Sequence, residues 1–290
     1  MTATGNKITV TVPAYNEASN IGYLLQSLID QGGMDEIIVV DDLSTDSTRD
    51  IVRSFGPRVR LIVHEERAGQ TAAWRTALRH ASNEIVVFSD ADSIPARRSI
   101  EILASAIEAG AYLAGGIAKP RTNAWPPARF SALILNELGK LGRPENQIIG
   151  RLFALRRSWL RNRDIPPNVI ANDLWLLRAA QADKKPFVYC PDAETFYTAP
   201  STVRDFKSQT IRAAAGREQL RSWGFGANRP LDIGMLARAF FSSATEDPIA
   251  AIAWIAIHVL VRCCPWPYAP ATAGGIWEAQ PSTKGHNFGG

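Results

Sequence analysis

A chain of 290 residues is long enough to bury a full core, either as one large domain or as a domain with an appendage. With 46% hydrophobic and 21% charged residues it is neither a disordered chain nor a polytopic membrane protein. The formal net charge of +4 is mild and spread along the chain, so no nucleic-acid partner is expected.

Cys190, Cys263 and Cys264 are too few and too unevenly spaced for a disulfide framework or a zinc site, which points to a reducing, cytoplasmic compartment. Met1 to Lys7 is short and polar and the first apolar run has strand length, so no secretory leader is expected. Arg151, Arg156, Arg157, Arg161 and Arg163 form a local basic cluster that suits phosphates or an anionic lipid surface, and equally a solvated face.

Ile8 to Val12 reads as a first strand, stopped at Pro13, whose nitrogen cannot donate to a sheet ladder. After the polar loop Ala14-Tyr15-Asn16-Glu17, Ser19 is the expected N-cap of a helix with Ile21, Leu24, Leu25 and Leu28 on one face, ended by Gly32-Gly33. Glu36 to Val40 is a second buried strand with Asp41-Asp42 at its carboxyl end, and Ser44-Thr45-Asp46 opens a helix that continues to Phe55. Val59 to Val63 is a third strand, followed by Gly69-Gln70 and a helix across Ala72 to Ala81.

The next stretch organises the rest. Ile85-Val86-Val87-Phe88 is an unbroken apolar run rich in β-branched residues, the pattern of a strand covered on both faces. It leads into Asp90-Ala91-Asp92, whose carboxylates project to the same side wherever the backbone stays extended. Two neighbouring carboxylates repel unless a cation or a shifted pKa relieves them, and their hard oxygens suit Mg²⁺ or Mn²⁺. The carboxyl ends of strands are also where ligands bind in open α/β sheets.

Strand and helix alternate from Ile8 through the helix at Ile100 to Ile107, which requires parallel crossovers and predicts an α/β fold with an open, mostly parallel, Rossmann-like sheet flanked by helices. No Gly-x-Gly-x-x-Gly and no Walker loop follows the first strand, which argues against dehydrogenases and kinases. After Gly115-Gly116 the regular pattern breaks. Ala128 to Leu141 reads as a helix, Ile148 to Leu155 as a strand, Asn172 to Ala182 as a helix with Asp173 in its first turn, Phe187 to Tyr189 as a short strand, and Val203 to Trp223 as a long polar helix. Pro248 to Val261 is almost continuously apolar yet shorter than the ~20 residues of a bilayer span. A buried helix is the first reading, and an interfacial helix lying on a membrane the second.

Five motifs stand in order along the chain: Pro13-Ala14-Tyr15-Asn16-Glu17, Val39-Val40-Asp41-Asp42 with Ser44-Thr45-Asp46 and Thr48, Asp90-Ala91-Asp92, Ala171-Asn172-Asp173-Leu174, and Gln209-Thr210-Ile211-Arg212-Ala213 with Gly216. Taken together they resemble the family 2 glycosyltransferases of GT-A fold. The resemblance implies a GT-A-type catalytic domain over residues 1–225, with residues 1–115 as the nucleotide-sugar half and 116–225 as the acceptor half, and a helical extension with a flexible tail over 226–290. It implies inverting transfer of one sugar from a nucleotide-diphosphate sugar, a UDP-sugar in first place, to an acceptor hydroxyl. Asp173 is then the general base, and Asp90 and Asp92 hold Mn²⁺ or Mg²⁺ against the diphosphate. Pro13, Ala14, Tyr15, Asn16, Glu17, Asp41, Asp42, Gln70, Asp90, Ala91, Asp92, Gln209 and Arg212 are implied as the nucleotide-sugar contacts.

The chain departs from the pattern twice: Asn172 replaces a Glu, and Ala213 replaces the aromatic that stacks on a growing sugar chain in processive members, which implies a non-processive enzyme. Trp277 with Ser282-Thr283-Lys284 is similar to a C-terminal gating or diphosphate-contacting segment of some relatives, and also suits a disordered tail. The acceptor is left open between a small molecule and a lipid-linked one, with peripheral contact at the inner face of the cell membrane as the accompanying localisation. Two other classes compete. A nucleotidyltransferase needs a glycine-rich basic loop where this chain has Pro13 to Glu17, and a non-catalytic nucleotide-sugar binder is supported only by Asn172 and Ala213.

Overall fold

The computed structural model describes residues 7–121, 124–141, 150–161, 163–225 and 232–263. Trp277, Ser282 to Lys284 and the expected boundary between residues 225 and 226 fall at or outside the limits of these segments.

The alternating first half is built as expected. Strands β1 (Ile8–Ala14), β2 (Glu36–Asp41), β3 (Arg60–Val63) and β4 (Ile85–Ser89) alternate with helices α1 (Ile21–Gln31), α2 (Thr48–Ser54) and α3 (Gln70–His80). All pair in parallel, with β1 between β2 and β4 and with β3 outermost. β3 is correspondingly half exposed, as an edge strand covered on one side must be. β4 behaves as a strand covered on both faces: Ile85 and Val87 join the core beneath α1, while Val86 and Phe88 join the core beneath α3. On the α1 side Ile21, Leu24, Leu25 and Leu28 are fully buried, each contributing about 1.5–3 kcal/mol.

The second half inserts antiparallel pairing. β5 (Ser93–Pro95), α4 (Ser99–Glu108), β6 (Leu113–Pro120), α5 (Pro126–Lys140), β7 (Leu152–Arg156), α6 (Arg157–Arg161), α7 (Asn172–Ala182), β8 (Phe187–Tyr197) and α8 (Val203–Ser222) follow in order. The single sheet runs β3-β2-β1-β4-β7-β6-β8-β5, and β7 lies antiparallel to both β4 and β6. This is a mixed sheet with a parallel majority of pairings, flanked by helices. Phe88 on β4 and Phe153 on β7 stack at 5.0 Å, with Trp74 of α3 at 5.1 Å from each, so the foreign strand is locked to the parallel half by aromatic contact.

Several local expectations are corrected. β1 continues through Pro13 to Ala14, because its pairing with β4 stops at Thr11 and Pro13 has a neighbour on the β2 side alone. Asn20, not Ser19, precedes α1, and its amide donates to the Glu17 carboxylate at 2.8 Å instead of capping the helix. The regular alternation does end after Gly115-Gly116, but the two glycines lie within β6, a strand with no counterpart in the reading of the sequence, at an irregularity in its pairing with β8. A Cβ on Gly116 would come within 2.3 Å of the Ala193 carbonyl oxygen, so glycine is what allows β8 to approach. β8 extends to Tyr197, well past the expected Tyr189, and β5 has no counterpart in the reading of the sequence.

The basic cluster disperses. Arg156 reaches the Ile107 carbonyl, Arg157 the Ala81 carbonyl and Arg163 the Asp183 carboxylate, while Arg151 enters the cleft described below. The last two helices, α9 (Ile233–Glu246) and α10 (Pro248–Cys263), pack on α5 through Phe130, Phe240, Ala250, Ala251 and Trp254. The buried-helix reading of α10 holds for that face only. Its other face leaves Ile249 (73% exposed), Ile252 (70%), Ile255 (46%) and Val259 (55%) open to solvent at helical spacing. No helix among the described residues is long and apolar enough to cross a membrane.

Candidate active site

The carboxyl ends of β1, β2 and β4 and the start of α7 surround one cleft. Its first wall is the loop after β1, clamped to the loop after β2. The Asn16 amide donates to Ser44 Oγ (2.9 Å), the Thr45 amide to Asn16 Oδ1 (2.8 Å), the Glu17 amide to Thr48 Oγ1 (2.8 Å) and the Ala18 amide to Asp46 (3.1 Å). Asn16 takes a positive φ of 52°, which asparagine tolerates better than most residues. Asn16 and Glu17 thus hold the two motifs together, and Tyr15 lies under the Arg67 guanidinium at 3.9 Å.

Asp41 and Asp42 have different surroundings. Asp42 accepts from His64 Nδ1 (2.9 Å) and from the Ala68 and Gly69 amides (2.8 Å each), and so tethers the loop that precedes α3. His64 Nε2 in turn meets Thr76 Oγ1 at 3.0 Å. Asp41 is fully buried; its Oδ2 accepts the Ser44 amide at 2.9 Å, while its Oδ1 has no hydrogen-bond partner among the described residues. A buried carboxylate oxygen without a donor is costly unless a ligand supplies one.

Asp90 and Asp92 sit in a tight turn closed by the Ser93 amide on the Asp90 carbonyl (3.2 Å), not on extended backbone. Ala91 between them is buried in the core. The two carboxylates nonetheless converge, on the guanidinium of Arg151: Nη1 is 2.7 Å from Asp92 Oδ1 and 3.8 Å from Asp90 Oδ2. Gln70 donates to Asp90 Oδ1 at 3.0 Å, and its oxygen receives Asn172 at 3.3 Å. The hard oxygen pair, already gathered on one positive group, fits a divalent cation in its donor chemistry. Among the described residues no cluster of three or more His, Cys, Asp or Glu side chains is arranged to hold a metal, so any further ligands would come from outside that set.

Asp173 is buried in the first turn of α7, where its Oδ1 accepts the Leu174 amide at 2.8 Å. Burial raises its pKa, opposed by that amide and by the Arg212 charge. Burial is also the main cause that lifts Asp90 to about 7; Arg151 and Arg212 oppose it, and Asp92 and Asp173 add repulsion. Asp90, Asp92, Asp173, Arg151 and Arg212 therefore share one electrostatic environment. Gln209 and Arg212 lie three residues apart on α8, and neither side chain makes a hydrogen bond among the described residues. Asn172 explains its own departure from Glu: it bonds Gln70, and a fourth carboxylate beside Asp90 and Asp173 would add repulsion.

Sequence reasoning missed Arg151 as a partner of the acid pair, together with Tyr197, whose ring lies 3.8 Å from the Arg151 guanidinium carbon. Gly216 matters through packing. A Cβ there would lie 2.6 Å from the Ala171 Cβ, next to Asn172 and Asp173, so α8 seats the start of α7 by direct backbone approach.

The sequence pattern of the family described as "Glycosyl transferase family 2" matches residues 9–163. The chain belongs to this glycosyltransferase family. Among relatives, glycosyltransferase AglE of Haloferax volcanii is 33% identical over 123 residues, 40% of this chain and 40% of that protein. The undecaprenyl-phosphate 4-deoxy-4-formamido-L-arabinose transferase of Edwardsiella ictaluri is 30% identical over 135 residues, 44% of this chain and 42% of that one. These matches span well under half of either relative's length. In fold, this family 2 member is similar to the mannosyltransferase PcManGT of Pyrobaculum calidifontis, solved with GDP-Man and Mn²⁺ (TM-score 0.63, 24% identity, 90% of this chain and 82% of that one). It is also similar to glucosyl-3-phosphoglycerate synthase of Mycobacterium tuberculosis, solved with Mg²⁺ and UDP (TM-score 0.58, 22% identity, 77% and 82%). The GT-A reading of the fold is thereby established.

Two predictions follow from this geometry. Gly216→Ala forces α8 and Ala171 apart; sugar transfer should fall about 10- to 100-fold with a cooperative melt retained, and an unchanged rate would show that this contact does not seat Asp173. In metal-free protein, Asp90 keeps its proton in the fold from its ordinary 3.8 up to about 7, while the unfolded chain has already released it. Stability is thus lost as pH rises through that window. The melting temperature of Asp90→Asn should accordingly gain on the parent between pH 4.5 and pH 7.5; a constant difference would contradict the raised pKa.

Proposed function

We propose that this chain is an inverting, hexosyltransferase-type enzyme that moves one sugar from a nucleotide-diphosphate sugar, a UDP-sugar in first place, to an acceptor hydroxyl. The observation that carries the reading is Asp173, a buried carboxylate at a helix start whose charge is felt at Asp90, with Arg212 acting on both. Displacement with inversion forms a bond from the acceptor oxygen to the anomeric carbon as the bond from that carbon to the diphosphate breaks. Asp173 receives the acceptor proton, and the departing diphosphate takes the electron pair. Asp173's raised pKa makes it a better proton acceptor than an exposed aspartate.

Asp90 and Asp92 would hold Mn²⁺ or Mg²⁺, which supplies Lewis-acid neutralisation of the leaving diphosphate. Solved proteins of similar fold were crystallised with these ions. The unpartnered Asp41 Oδ1 accepts from the ribose or the base, beside Tyr15 and the loop of residues 13–17, while Arg212 and Gln209 face the diphosphate or the acceptor. Ala213 leaves no ring for a lengthening chain, in keeping with a single transfer. The clamped, glycine-free loop from Pro13 to Glu17 speaks against a nucleotidyltransferase, and the shared cleft of three carboxylates against a purely binding role.

The exposed stripe of Ile249, Ile252, Ile255 and Val259 favours a lipid-linked acceptor over a soluble one, with α10 lying on the inner face of the cell membrane.

Asp173→Asn should lower turnover by about 10²- to 10⁴-fold while the nucleoside diphosphate with Mn²⁺ still raises the melting temperature. Retained turnover would remove Asp173 as the base. For the lipid surface, the protein should co-float with vesicles of phosphatidylglycerol and phosphatidylcholine and Ile252→Glu should not; a parent protein that stays with the soluble fraction would end that part of the reading.

A further inference from the structure

Arg151 stands immediately before β7, where the Asp90 amide donates to its carbonyl at 3.1 Å. Its backbone is therefore fixed to the acid motif itself, by the same antiparallel pairing that sets Ser89 opposite Leu152. Its guanidinium is largely shielded, with 19% of its side-chain surface exposed, and is seated against the ring of Tyr197. Tyr197 is itself opposite Ser93, the residue after Asp92, in the β5–β8 pairing, so the ring is placed by a strand paired with the residue that follows the motif. From this seat one nitrogen binds Asp92 closely and approaches Asp90. That is the region a divalent cation must enter to reach both carboxylates, and two positive groups sharing the same oxygens exclude one another.

We propose that Arg151 is a displaceable internal counter-ion: it holds Asp90 and Asp92 in the donor-free protein, gives way to the metal, and transfers its charge to the donor's diphosphate. Metal alone must break a charge-assisted hydrogen bond and strand a shielded guanidinium. Metal arriving with a diphosphate does not, because the anion offers Arg151 a new partner. Metal and nucleotide consequently bind with positive coupling, each raising the affinity of the other by the same factor. Asp90 and Asp92 are also kept from repelling each other before the donor arrives. This inference rests on the cation reading of the acid pair, and the following titrations separate its failure from the failure of that reading.

Free Mn²⁺ is followed by electron paramagnetic resonance during titration of the full chain, with and without UDP. In the parent, UDP should tighten Mn²⁺ binding by at least about 10-fold, the scale of one charge-assisted bond. Arg151→Gln should tighten Mn²⁺ binding without UDP by a similar factor and shrink the UDP effect, and Arg151→Lys, which restores a cation, should fall between them. Thermal melts report that each variant is folded, and the lysine form supplies the comparison if the glutamine form does not fold. If UDP tightens Mn²⁺ binding in the parent but the variants bind the metal alone no better, Arg151 is not the competitor and the inference is wrong. Absence of Mn²⁺ binding in every protein, with and without UDP, would overturn the cation reading and this inference with it.

Discussion

Carboxylates gathered in a shielded cleft repel each other, and the site is organised by how that repulsion is offset. Asp90 and Asp92 share Arg151, Asp173 feels Arg212, and Gln70 and Asn172 link the two groups by neutral hydrogen bonds. Each compensating group comes from a different element: α3, the edge of β7, the start of α7 and the face of α8. The mixed sheet is the device that makes this convergence available. A parallel neighbour would have set its own carboxyl end beside that of β4, whereas antiparallel β7 sets its amino end there and so brings Arg151 directly against the acid turn.

Packing then fixes what electrostatics requires. Trp74, Phe88 and Phe153 hold α3, β4 and β7 as one unit beneath the cleft, so Gln70, the acid turn and Arg151 are presented by mutually locked elements. At the other wall of the cleft, Gly216 lets α8 touch Ala171 and so seats the start of α7. Ionic contacts without such support would give little at a solvent-exposed site; here they are held in place by apolar contact behind them.

The first half of the fold was legible in sequence because local periodicity carries it. The Ile85 to Phe88 run and the Ile21, Leu24, Leu25, Leu28 stripe each declare their element and its burial. The second half was less legible because its decisive contacts are long-range. Nothing near Gly115-Gly116 shows that β8 will cross them closely, and a three-residue strand at Ser93 has no periodicity to read. The carboxylates of the site were visible as strand-end and helix-start residues. Of their counter-charges Arg212 was named and Arg151 was not: Arg151 sits in a run of arginines that sequence cannot divide, and only the β4–β7 register separates it from Arg156, Arg157 and Arg163. For α10, composition announced an apolar helix but not that α5 covers one side of it alone.

Asp41 and Asp42 are adjacent in the chain yet have opposite occupations. One holds an unpartnered oxygen inside the fold; the other is wholly engaged in anchoring residues 64 to 69, whose Arg67 rests on Tyr15. A single peptide unit thus joins the oxygen proposed to meet the donor to a mooring. On that proposal, a shift of the Asp41 backbone on donor binding would be carried to Asp42, and from there to the strip of chain whose Arg67 roofs the Tyr15 ring. Donor occupancy and the position of residues 64 to 69 would then be two readings of one displacement.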